Sequence, residues 1–178
     1  MTHLQEVRPL SPLPPPTPKP HDLTLDQLRD TIIQCLLQGS AGHYRIGRLY
    51  NHIVLCRRAV DEGYPTTREY FRRHVRVLSH RSLTVFGAVA RTFDQAVCEK
   101  YGMANLGALL EYERSRWGHV LGVPREPGDV PIEIPRRGGL TLTKPFADCT
   151  AEDLRQAVRA RRAPISSSGD RAAPGLHR

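Results

Sequence analysis

A mainly α-helical fold is what this sequence predicts: a five-helix bundle containing a helix-turn-helix-like pair, followed by a small β-hairpin and one short helix. Three observations carry the prediction. Between residues 23 and 118 apolar residues recur at three- and four-residue intervals, the period of a helix with one buried face. Two of these runs, and one beyond residue 118, are preceded by Thr with a Gln, Glu or Asp three residues on, the pattern of a capped helix start. Beyond Gly118 the texture changes to Val130-Pro-Ile-Glu-Ile-Pro135 and Leu140-Thr-Leu-Thr143 around Arg136-Arg-Gly-Gly139, which reads as two extended runs and a turn.

Residues 1–22 contain LSPLPPPTPKP, a proline density that excludes helix and favours extended polyproline or disorder, with docking to an aromatic groove as its functional alternative. Thr24 then caps a first helix with Gln27, and Leu25, Leu28, Ile32, Cys35 and Leu36 form its apolar face. Gly39-Ser-Ala-Gly42 is expected to stop it. A second helix from His43 to about Asp61 places Ile46, Leu49, Tyr50, Ile53 and Val60 at core spacing, with Gly63 near its end.

Pro65 bars the third helix from extending backwards, and Thr66 stands three residues before Glu69, the spacing of a reciprocal cap. Phe71, Val75 and Leu78 then make an apolar stripe beside a cationic one of Arg68, Arg72, Arg73 and Arg76. Ser79 caps the fourth helix, expected to run through Leu83, Phe86, Ala90, Phe93 and Val97 to Gly102. A fifth, Asn105 to Trp117, aligns Leu106, Leu109, Leu110 and Trp117, so Trp117 is expected to close the core rather than stack on a base.

In the hairpin, Pro131 and Pro135 confine the first run to a sheet edge. Thr150 and Asp153 box the start of a helix from Ala151 to Arg161 with Leu154 and Val158 on one side. Hairpin and helix bury too little surface alone, so they must dock on the helical domain or on a second subunit. The expected divisions are thus a leader 1–22, a helical domain 23–118, an appendage 119–162 and a disordered tail 163–178.

The chain of 178 residues carries a net charge of +8, which favours a polyanionic partner. From Arg68 to Arg91 six arginines face one acid, Glu69. Only Lys19, Lys100 and Lys144 are lysines; arginine suits bidentate contacts to phosphate or guanine, and its dominance also follows from a GC-rich genome. Cysteines at 35, 56, 98 and 149 form no CxxC pair, so neither a zinc site nor a disulfide framework is expected and a reducing cytoplasm is the simpler compartment. His52 and Cys56, one turn apart, lack two further ligands and read as core or rim residues. No apolar run approaches membrane length, and residues 1–22 hold no apolar h-region, so a soluble, intracellular protein is expected. Phosphate-binding glycine loops, nucleophile elbows and HExxH are absent from the sequence, so neither an enzyme nor a cofactor is expected.

Turning the fourth helix at about 100° per residue puts His80, Thr84, Ala88 and Arg91 in one narrow stripe with Arg81 beside it. A small residue between a hydroxyl and guanidinium groups lets a backbone approach a groove while longer side chains reach base edges. The run Leu78-Ser-His-Arg-Ser-Leu-Thr-Val85 resembles the turn and early recognition helix of bacterial and phage helix-turn-helix proteins, although Leu78-Ser79-His80 stands where the turn usually has glycine. The stretch from Ile46 to Leu110 is similar in rhythm to the helical modules of ParB-like and phage DNA-binding proteins. That resemblance implies a DNA-facing role for His80, Arg81, Thr84 and Arg91. Arg68, Arg72, Arg73 and Arg76, on the preceding helix, are expected to lean on phosphates. DNA is therefore the expected partner, with a homodimer through 119–162 as a second. The competing reading is a helical protein-interaction adaptor, in which the arginine stripes are solvated faces.

Overall fold

The computed structural model describes residues 19–117 and 122–162, the side chains of 116 and 117 excepted. The expectations placed on residues 1–18 of the leader, on Trp117 and on the tail 163–178 fall outside the described residues. The fold is mainly helical, and its helices are α1 (Leu25–Cys35), α2 (Gly39–Leu55), α3 (Arg58–Asp61), α4 (Thr67–His74), α5 (His80–Thr92), α6 (Gln95–Tyr101), α7 (Met103–Trp117) and α8 (Ala151–Arg162). Between α7 and α8 lie β1 (Pro131–Pro135) and β2 (Thr141–Pro145), paired antiparallel with Glu133 opposite Thr143.

Local chemistry starts most of these helices as the sequence indicates. Thr24 and Gln27 form a complete capping box on α1, and Thr150 and Asp153 do the same on α8. Two of the expected helices are each divided. At the end of α2 Arg57 takes a left-handed φ of 51°, and the reversal brings Ala59 of α3 back into the core at 0% exposure. The helix expected from Ser79 to Gly102 is interrupted at Phe93, whose extended backbone (φ −119°, ψ 156°) lets Asp94 accept from the Val97 N–H at 2.9 Å and cap α6. Apolar periodicity continues across that break because Phe93 and Val97 are buried on both sides of it. Likewise Gly39-Ser-Ala-Gly42 opens α2 instead of ending α1, which a short 3-10 turn, Leu36–Gln38, has already closed.

Two apolar clusters share α5. Leu28, Ile32, Ile46, Ile53, Tyr70 and Phe71 from α1, α2 and α4 pack with Leu83 of α5. Val89 of α5 belongs to the other cluster, with Leu106, Leu109 and Tyr112 of α7, Ile132 and Ile134 of β1, and Leu154 and Ala157 of α8. Burial of each such Leu or Ile contributes about 1.5–3 kcal/mol, so α5 is held from both sides. Its crossing with α2 is close: a Cβ on Gly47 would stand 2.2 Å from the Phe86 carbonyl oxygen. At the same crossing the buried Asn51 side chain donates to the Gly87 carbonyl at 2.8 Å. On the opposite flank a Cβ on Gly107 of α7 would meet Val85 at 2.5 Å.

The hairpin and α8 dock within the chain. Leu154, Ala157 and Val158 are buried, so the apolar strip of α8 is covered by α7 and β1. The Tyr112 hydroxyl accepts from the Glu133 N–H at 3.0 Å and from Arg161 at 2.9 Å, joining α7, β1 and α8. Asp153, itself buried, receives Lys144 of β2 at 3.1 Å and Arg136 at 3.3 Å. Among the described residues no helix is long and apolar enough to cross a membrane.

Candidate nucleic-acid interface

Thr66 caps α4, accepting from the Glu69 N–H at 3.1 Å. The reciprocal half of that cap does not form. Glu69 instead takes Arg72 at 2.6 Å and Arg73 at 2.7 Å, one turn along the same helix. Hydrogen bonds from Arg72 and then Arg73 hold its carboxyl down at about 2, well below its ordinary 4.5. Of the four arginines expected on phosphates, two are therefore engaged by an acid of their own helix. Arg68 and Arg76 are exposed, and among the described residues Arg76 reaches only the Arg73 carbonyl, at 3.3 Å. The opposite face of α4 is buried through Tyr70 and Phe71, with the Tyr64 hydroxyl 2.8 Å from His74.

A four-residue turn, 75–78, leads to Ser79, which accepts from the Ser82 N–H at 3.0 Å and starts α5. His80, Arg81, Thr84 and Arg91 are all exposed, and Ala88 is half-buried between them. Thr84 donates its hydroxyl to the His80 carbonyl at 2.9 Å, and the Tyr50 hydroxyl of α2 lies 3.5 Å from the Thr84 Oγ1. The Thr84 proton is thus committed to backbone, leaving its methyl group and a lone pair for a ligand.

The stripe does not stand free of the rest of the fold. His80, Arg81, Thr84, Val85 and Ala88 form one wall of a groove of about 620 Å³, and Gly107, Leu110, Glu111, Arg114 and Ser115 of α7 form the other, with Arg162 of α8 at its end. Arg91 does not line it. A smaller cleft of about 250 Å³ continues from Arg81, Glu111 and Arg162 to Arg155 and Arg159 of α8. Glu111 sits where the two meet, 3.9 Å from Arg81 and paired with Arg162. Around this carboxylate, the one that lines either cleft among the described residues, the fold gathers Arg81, Arg114, Arg155, Arg159 and Arg162, of which Arg155 and Arg159 are held at 2.7 Å by Glu152.

Sequence reasoning finds Arg81 but not its four companions, because they come from α7 and α8. The one signal for them is the run of arginines at the end of α8. Among the described residues no three His, Cys, Asp or Glu side chains gather to hold a metal ion; the His52 ring lies 3.6 Å from Cys56 with nothing further. Comparison of the chain with protein-family models, with curated proteins and with solved structures finds no match in any of the three.

Proposed function

We propose that the protein binds double-stranded DNA, as a regulator or DNA-organising factor in the cytoplasm, with α5 facing the major groove and α4 crossing the backbone. The observation that carries this reading is the exposure of His80, Arg81, Thr84 and Arg91 on one capped helix, directly after the arginine-bearing α4. Arg81 and Arg91 are long enough to reach base edges, and the Thr84 methyl group suits a thymine methyl. Arg68 and Arg76 supply the backbone contacts, with Arg72 and Arg73 available once a phosphate displaces Glu69.

Gel-shift titrations across a salt series test the proposal. Arg68→Ala and Arg76→Ala weaken binding to every duplex alike and flatten the log-log salt slope by about 0.9 for each lost contact. Arg81→Ala and Thr84→Ala cost on the order of 1–3 kcal/mol on a selected sequence and little on random DNA, with unchanged melting curves. An association constant that ignores salt rules the proposal out.

One feature favours the adaptor reading as the alternative. Part of each wall of the groove, Val85 and Ala88 on one side and Gly107 and Leu110 on the other, is apolar, as a groove for a protein segment would be. Arg81→Ala abolishing a protein contact while leaving DNA binding intact would decide for it.

A further inference from the structure

The two edges of the hairpin are finished differently. The Arg136 N–H donates to Leu140 at 2.8 Å and the Phe146 N–H to Val130 at 2.8 Å, so with the observed register the even-numbered residues exchange the ladder hydrogen bonds. The odd-numbered residues turn their backbone groups outward. On β1 these are Pro131, Glu133 and Pro135: two have no N–H, and the third donates to the Tyr112 hydroxyl at 3.0 Å. No donor on that edge is left for another strand. On β2 the outward residues are Thr141, Thr143 and Pro145. Among the described residues nothing outside the hairpin bonds to the N–H of Thr141 or Thr143, and Thr141, Leu142 and Thr143 are all exposed.

We infer that β2 is a pairing edge for a second copy of this chain, joined antiparallel about a two-fold axis at Leu142. This inference goes beyond the DNA-binding reading and stands without it. With Thr141 opposite the partner's Thr143, and the reverse, each pair exchanges two hydrogen bonds and the outward N–H and C=O of both threonines are used. Leu142, which is 40% exposed, then faces the partner's Leu142 in a pair that forms no hydrogen bonds, the closer of the two spacings. Leu140, 70% exposed, lies across from the partner's Lys144, whose alkyl stem can cover it while Asp153 keeps the ammonium at 3.1 Å.

Several features select a copy of the chain over a foreign strand. The open edge is short, closed at one end by Pro145 and at the other by the turn Arg137–Gly139, where Gly138 and Gly139 have φ of 80° and 77°. A segment of similar length matches the open edge from end to end, and β2 itself is such a segment. The antiparallel two-fold also sets the end of β2 that carries the exposed Arg137 against the end of the partner's β2 that carries the exposed Asp148, an opposite-charge match made twice by symmetry. Four hydrogen bonds and a leucine pair make a small interface, so the dimer is weak and concentration-dependent.

Sedimentation velocity of the full chain over a hundredfold concentration range should show a monomer giving way to a dimer. Thr143→Pro removes an outward N–H without touching the ladder, and Leu142→Lys sets like charges across the axis; either variant should stay monomeric at every concentration and melt like the parent. In a Cys56→Ser background, Leu142→Cys should form a disulfide-linked dimer on mild oxidation. Thr141→Cys should not, because the two copies of that position lie two residues apart in register, too far for a disulfide. A parent chain that remains monomeric throughout overturns the inference, as does a dimer that survives both Thr143→Pro and Leu142→Lys, or cross-linking through Thr141→Cys as efficient as through Leu142→Cys.

Discussion

On α4, Arg72 and Arg73 close on Glu69 of the same helix, whereas Glu111 of α7 receives Arg81 from α5 and Arg162 from α8. The first arrangement is complete in a single turn of helix and needs no tertiary structure. The second exists only when three helices separated in sequence have assembled. A charged cluster of the first kind therefore reports on local composition, and one of the second kind reports on the fold. This difference bears on function, since the groove can bind only as a folded surface.

The largest expected effect separates the two by removing the scaffold of one. Gly47→Ala would ordinarily favour a helix, yet its Cβ would press on the Phe86 carbonyl at 2.2 Å. Forcing α2 and α5 apart costs on the order of 3 kcal/mol in urea unfolding, and the groove should lose its shape while the Glu69 pairs persist. Anion binding that is unaffected by this variant would place the interface on α4 alone.

Next in size is a pair of charge removals. Glu69→Gln releases Arg72 and Arg73, and Glu111→Gln releases Arg81 and Arg162, so each frees two guanidiniums. Where a freed arginine reaches phosphate, the salt slope of duplex binding steepens by about 0.9. Duplex lying across both α4 and α5 makes both variants steeper. If only Glu69→Gln changes the slope, the groove serves another ligand.

The smallest effect is in acid. Asp153 is held at about 2, against an ordinary 3.8, by the Thr150 backbone first and then by Lys144 and the Thr150 hydroxyl, and Glu69 is likewise held at about 2. Both groups bind protons more weakly when folded. Their contributions are therefore complete above their ordinary values and are lost as pH falls through about 2. At 1 M salt, where screening acts over about 3 Å, the share from the exposed Glu69 pairs should shrink and that from the buried Asp153 should remain. An acid transition unaltered in Asp153→Asn would contradict this.

How legible these features are in the sequence follows the same division. Caps at Thr24, Ser79 and Thr150 and the exposed stripe of His80, Arg81, Thr84 and Arg91 follow from spacing along one segment, and the structure has them. The breaks at Arg57 and Phe93 are not visible in the apolar pattern, because Ala59, Phe93 and Val97 reach the core on either side of them; Asp94, a good cap, was the available clue. Glu69 could bond the start of its helix or the arginines after it, and spacing allows both. Charge decides for the arginines. Arg114 and Arg162 meet Arg81 only through the packing of α7 and α8, which no local pattern encodes.

The hydrogen bond from Asn51 to the Gly87 carbonyl bears on what an encounter with a ligand costs. It takes an acceptor in the middle of α5 and fixes that turn to α2, so sliding or unwinding the helix would strand a buried amide. The surface of α5 is thus set before any ligand arrives, and little backbone entropy remains to be lost on binding. Whatever adjustment a complex needs must come from the rotamers of the arginines or from the ligand, and amide exchange in the middle of α5 should stay slow whether or not the site is filled.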